Sequence, residues 1–113
     1  ISIQLDRIVF RDTLARVAIL SNEKFRGIRL RLSDGVMTLM SNNPEQESAE
    51  EEIDINYSGD VFEIGFNVSY VLEAVNHLEG EMIDFNFTSS SASALLSSSE
   101  DAGVRYVVMP VRL

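Results

Sequence analysis

"VFEIGFNVSYVLEAVNHLEGEMIDFNF", residues 61–87, changes its apolar period twice. "VFEIGFN" (61–67) reads as extended chain, and then Val68, Val71, Leu72 and Val75 fall at helical spacing, so a strand passes directly into a helix. Asn67 is a candidate N-cap, because its short side chain can accept from the orphan N–H groups of the first turn, and Gly80 is a candidate stop. "EMIDFNFTS" (81–89) then reads as a strand again. Tyr70, Glu73 and His77 point away from the apolar stripe of this helix, which leaves Tyr70 exposed or half-exposed.

Outward from this stretch the same order of elements occurs twice. "ISIQLD" (1–6) alternates, "RIVFRDTLARVAILSNE" (7–23) has helical spacing, and "FRGIRLRLS" (25–33), "VMTLMSNN" (36–43) and "AEEEIDINY" (49–57) read as strands. After the second helix come "EMIDFNFTS", "SASALLSSS" (91–99) and "VRYVVMPVRL" (104–113). Each half therefore reads βαβββ. Two copies of about 55 residues predict an α+β fold, a pseudo-symmetric doubled unit in a single domain over 1–113, with two helices packed on antiparallel sheet. "SDG" (33–35) and "SGD" (58–60) are turn signals, and "SSSEDAG" (97–103) is a loop. "TSSSASALLSSS" (88–99) has the composition of a linker, yet Ala94, Leu95 and Leu96 lie where the repeat requires a strand, so a polar edge strand is expected there.

On the first helix Phe10, Leu14 and Val17 form the core stripe. Ile19 falls nearly opposite and Leu20 well to one side, so these aliphatics either emerge at the C-terminal end of a polar face or are covered by the loop that follows.

A chain of 113 residues that is 45% hydrophobic is large enough for a core without staples. It has no cysteine, which excludes disulfides and thiolate metal sites. No apolar run approaches the roughly 20 residues that span a membrane, and a cytoplasmic location is expected. The chain opens on Ile1 inside an alternating strand, which is expected of a domain from a longer protein. Net charge is −9, unevenly spread: the first 31 residues hold seven basic and three acidic groups (+4), the rest two basic and fifteen acidic (−13). Such acidity argues against tight binding of nucleic acid over the whole surface, while a local basic face stays open.

Catalytic patterns are missing. His77 is the lone histidine, so neither a Ser-His-Asp nor a Cys-His arrangement is supported. Glu50, Glu51 and Glu52 run along a predicted strand, so alternate members face opposite sides and do not converge on a metal; on an edge such a run guards against aggregation. "GFNVSY" and "GIRLRLSDG" lack the spacing of phosphate loops. No cofactor is expected.

"AILSNEKFRGIRL" (18–30), "NNPEQESAEE" (42–51), "YSGDVFEIGFNVSYVLEAVNHL" (57–78) and "YVVMPVRL" (106–113) together resemble the C-terminal third of the bacterial β sliding clamp family, the processivity subunit of DNA polymerase III. The resemblance runs in register over essentially the whole chain and is loosest at 88–103. It implies the third of three domains of like fold in a head-to-tail homodimer, a six-domain ring around duplex DNA with helices lining the channel. Such a ring holds DNA by topology and needs only weak phosphate contacts, which accommodates the net acidity.

The resemblance also implies residue roles. Ile19 and Leu20 would form the apolar part of the subunit contact, with Glu45, Glu47, Glu50 and Glu51 facing basic residues of the other subunit; some members carry an acid at the position of Ser48. DNA polymerase, the clamp loader and repair proteins would dock short linear motifs at Asn67, Tyr70, Val107, Met109, Pro110, Val111 and Arg112, with Ser91 and Ser93 at the pocket floor. Some members have an aliphatic residue in place of Ser91. Pro110, which cannot donate to a ladder, is expected to release the chain toward that pocket. Arg7, Arg11, Lys24 and Arg26 are the candidates for facing DNA. The alternative reading is a stand-alone peptide-binding or homo-oligomeric scaffold without DNA.

Overall fold

The computed structural model describes residues 1–19, 27–42, 48–100 and 103–111. Its elements are β1 (Ser2–Asp6), α1 (Arg7–Ala18), β2 (Gly27–Ser33), β3 (Val36–Asn42), β4 (Ser48–Asp54), β5 (Phe62–Asn67), α2 (Val68–His77), β6 (Met82–Asn86), β7 (Ala94–Ser97) and β8 (Arg105–Val108). The doubled βαβββ order is present. The expected antiparallel sheet is divided into two four-stranded sheets, β1-β6-β7-β8 and β4-β3-β2-β5. Each half lends its first strand to the other: β1 pairs with β6, Leu5 opposite Ile83, and β5 pairs with β2, Ile64 opposite Leu30.

Period-two burial explains the register. Ile3 and Leu5, Ile28, Leu30 and Leu32, Ile64 and Phe66, and Ile83 and Phe85 are all buried, so a slip of one residue would turn each set to solvent. Over these faces α1 buries Phe10, Thr13, Leu14 and Val17, and α2 buries Val68, Val71, Ala74 and Val75. Leu72, expected in the stripe, is half-buried at its margin, and the smaller Ala74 lies within. Phenyl rings join the layers: Phe85 stacks on Phe87 at 4.4 Å and lies 6.1 Å from Phe10 and 5.6 Å from Phe66. Both sheets and α1 thus meet at one side chain.

The last residue of the first strand caps the helix in each half. Asp6 accepts from the Val9 N–H at 3.0 Å and Asn67 from the Ser69 N–H at 2.9 Å, both with extended backbone. The helices therefore begin without a connecting loop.

One expectation is corrected. The serine-rich β7 is an interior strand, paired with β6 on one side and β8 on the other. Its four residues bury Ala94 and Leu96, and the serines that make the segment look like an edge flank this short core-facing piece.

Candidate functional site

Strand β8 alternates. Val108 is buried opposite Ala94, while Val107 and Met109 are 63% and 64% exposed. Tyr70, 61% exposed, stands on the outer face of α2, and Glu73 and Ala74 follow one turn later on the same side. Together Tyr70, Glu73, Ala74, Tyr106, Val107, Val108, Met109 and Val111 enclose an open cavity of about 360 Å³, mostly apolar. A smaller recess of about 210 Å³ adjoins it, lined by Ser90, Ser91, Pro110 and Val111. Ser93 donates from its hydroxyl to the Met109 sulfur at 2.8 Å and so holds the thioether beside the cavity. A leucine or phenylalanine side chain entering such a space gains about 2 kcal/mol from leaving water.

Pro110 ends the pairing of β8 but does not free the chain from sheet hydrogen bonding. It forms an antiparallel bridge with Phe66, and the Val111 N–H donates to the Gly65 carbonyl at 2.9 Å. The chain thus leaves the sheet of β8 and settles on the open edge of β5, in the other sheet. Pro110 lacks a donor, but it has a carbonyl and the next residue supplies an N–H, and β5 is paired by β2 on one side only.

Of the residues singled out for docking, Tyr70, Val107 and Met109 line the main cavity, Pro110 and Ser91 the recess, Val111 both, and Ser93 touches the main cavity through Met109. Asn67 is half-buried and its side chain is engaged in capping α2 rather than lining the cavity. Arg112 lies outside the described residues. Glu73, Ala74, Tyr106 and Val108 of the cavity, and Ser90 of the recess, were missed by sequence reasoning. The first two sit three and four residues after Tyr70, and that helical spacing is the signal that could have found them.

At the C-terminal end of α1 Ile19 is 79% exposed, the first of the two fates the helical wheel left open. Glu50 is exposed on β4, an edge strand, and Glu51 is half-buried and accepts from Arg16 at 2.9 Å. Leu20, Glu45 and Glu47 lie outside the described residues, as do Lys24 and Arg26. Arg7 donates to the Gly80 carbonyl at 2.7 Å, tying the start of α1 to the end of α2, and Arg11 pairs with Asp12 at 3.1 Å. His77 is held through Nδ1, 2.7 Å from the Glu73 carbonyl, with its ring 6.3 Å from Tyr106. Among the described residues no three His, Asp or Glu side chains are grouped to hold a metal ion, and no helix is long and apolar enough to cross a membrane.

The sequence and the fold are shared with known proteins. The family model described as DNA polymerase III beta subunit, C-terminal domain, matches residues 1–112. The beta sliding clamp of Pseudomonas aeruginosa is 49% identical over 108 residues, 96% of this chain, and that of Escherichia coli K12 is 49% identical over 105 residues, 93% of this chain. The chain spans 29% of the length of either relative. Among solved structures, the DNA polymerase III subunit beta of Pseudomonas aeruginosa superposes with a TM-score of 0.93 at 47% identity, covering 99% of this chain and 31% of that one. The beta sliding clamp of Caulobacter crescentus gives 0.94 at 37% identity, over 99% and 30%. A further structure of the Pseudomonas aeruginosa clamp, also at 0.93 and 47%, is described as bound to griselimycin. A model matching nearly every residue, and relatives sharing almost half of them, leave one conclusion: this chain belongs to the DNA polymerase III beta subunit family, in its C-terminal domain.

Proposed function

We propose that this chain is the third domain of a replication processivity factor, a non-catalytic ring-shaped dimer that encircles duplex DNA and tethers its partners through the cavity between α2 and β8. The observation that carries the reading is this solvent-open apolar cavity, with Tyr70, Val107 and Met109 all more than 60% exposed on its rim. Isolated exposed apolar residues are ordinary, but three converging on one concave surface fit a docking site for short apolar motifs. DNA polymerase, the clamp loader and repair proteins are the proposed partners, in the cytoplasm. Ile19, Leu20, Glu45, Glu47, Glu50 and Glu51 make the proposed contact with the second subunit, and Arg7, Arg11, Lys24 and Arg26 the proposed face toward DNA.

Griselimycin, described as bound by the related Pseudomonas aeruginosa clamp, is a convenient probe. In the full-length protein, Tyr70→Ala should weaken griselimycin binding about tenfold or more by calorimetry, because it removes one wall of the cavity. Unchanged affinity would move the docking site elsewhere. The ring is tested separately: protein loaded on nicked circular DNA should stay bound in high salt and slide off once the circle is cut. Equal loss from circular and linear DNA favours the scaffold without DNA, a reading to which the net charge of −9 lends weight.

A further inference from the structure

The chain has four methionines and no cysteine, so its oxidisable sulfur is all thioether. The four are not equivalent. Met37 is fully buried, Met40 is half-buried, Met82 is 40% exposed, and Met109 is 64% exposed. Met109 is also the one that lines the apolar cavity, and its sulfur already accepts a hydrogen bond from the Ser93 hydroxyl at 2.8 Å. We infer that Met109 is a redox-sensitive modification site, where a hydroperoxide converts the thioether to its sulfoxide and closes the cavity to apolar partners. The inference rests on the docking reading above.

The step balances without any other reactant. A sulfur lone pair attacks the terminal oxygen of the hydroperoxide and an S–O bond forms as the O–O bond breaks. The proton on the transferred oxygen ends on the leaving oxygen, so hydrogen peroxide leaves as water. Exposure sets which thioether the oxidant reaches first, and Met109 leads on that count. The Ser93 hydroxyl favours the product, because a sulfoxide oxygen is a far better acceptor than a thioether sulfur. It would hold that oxygen beside the cavity. A partner's apolar side chain would then have to strip a polar group of water without offering it a hydrogen bond, which is unfavourable. The lesion is the one that methionine sulfoxide reductases reverse, so the effect would be a switch rather than damage.

The test uses the full-length protein, dilute hydrogen peroxide and griselimycin as the probe. Peptide mapping by mass spectrometry should find the added oxygen at Met109 before Met82, Met40 or Met37, and griselimycin affinity should fall about tenfold as Met109 sulfoxide accumulates. Reductase treatment should restore it. Met109→Leu should bind equally before and after peroxide, whereas Met82→Leu should remain sensitive. Partial oxidation gives a readout that needs no variant: protein retained on immobilised griselimycin should be depleted of Met109 sulfoxide relative to the flow-through, with Met82 sulfoxide equal in both. Met82 reacting before Met109, or equal Met109 sulfoxide in the two pools, overturns the inference and leaves the docking reading standing. Untreated protein that does not bind griselimycin overturns both.

Discussion

Phe85 meets Phe10, Phe66 and Phe87, one ring from the first helix, one from the opposite sheet and one from its own edge of the core. Phe85→Ala should therefore destabilise the domain by about 3–5 kcal/mol, since a cavity surrounded by both sheets and a helix collapses poorly, and urea unfolding measures it directly. Phe10, Leu14, Val17, Val68, Val71 and Val75 were legible as core because a helix of fixed pitch sorts its residues by angle alone. Ile19 was legible as an outlier for the same reason, although the sequence left its fate open between exposure and cover. Glu51 was not legible: its contact with Arg16 spans 35 residues of chain, and no local pattern encodes a distance of that kind.

Among elements, α2 and β8 show what periodicity can and cannot reveal. Asn67 was readable as a cap because the requirement is local, a short acceptor one residue before the first turn, and Asn67→Ala should cost about 1 kcal/mol of stability in thermal or chemical melts. Because that side chain is engaged in capping, the same substitution should alter griselimycin affinity less than Tyr70→Ala does. An equal loss would give Asn67 a direct part in docking. The course of the chain after Val108 was not readable. Pro110 suggested departure from the sheet, which is correct for its own sheet, but the destination at Gly65 and Phe66 depends on which edge of β5 stands open. Topology decides that. Likewise β7 resembled an edge because its composition is polar, while its interior place follows from two partners that lie before and after it in sequence. Removing residues 109–113 should consequently do more than empty the cavity: loss of the Val111 hydrogen bond alone should lower stability by about 1 kcal/mol, visible as a shifted urea midpoint.

At the scale of the whole molecule, the repeat announced two equal halves, and the pairing shows that neither is a closed unit. Each sheet consists of three strands from one half and a guest from the other, β6-β7-β8 with β1, and β4-β3-β2 with β5. The covalent connection between Asp54 and Phe62 is thus not what holds the halves together. Gly59 and Asp60 in that segment are exposed, and a protease site placed there should yield two fragments that still elute as one particle under native conditions and separate only in denaturant. Fragments that part at once in plain buffer would contradict the exchange. Expressed alone, either half would present an unfilled slot beside β2 or β6, and the remedy nearest to hand is a second copy of itself, giving its own first strand and receiving one in return. A single βαβββ peptide is in this sense already half of a reciprocal pair, and the present chain joins the two members covalently.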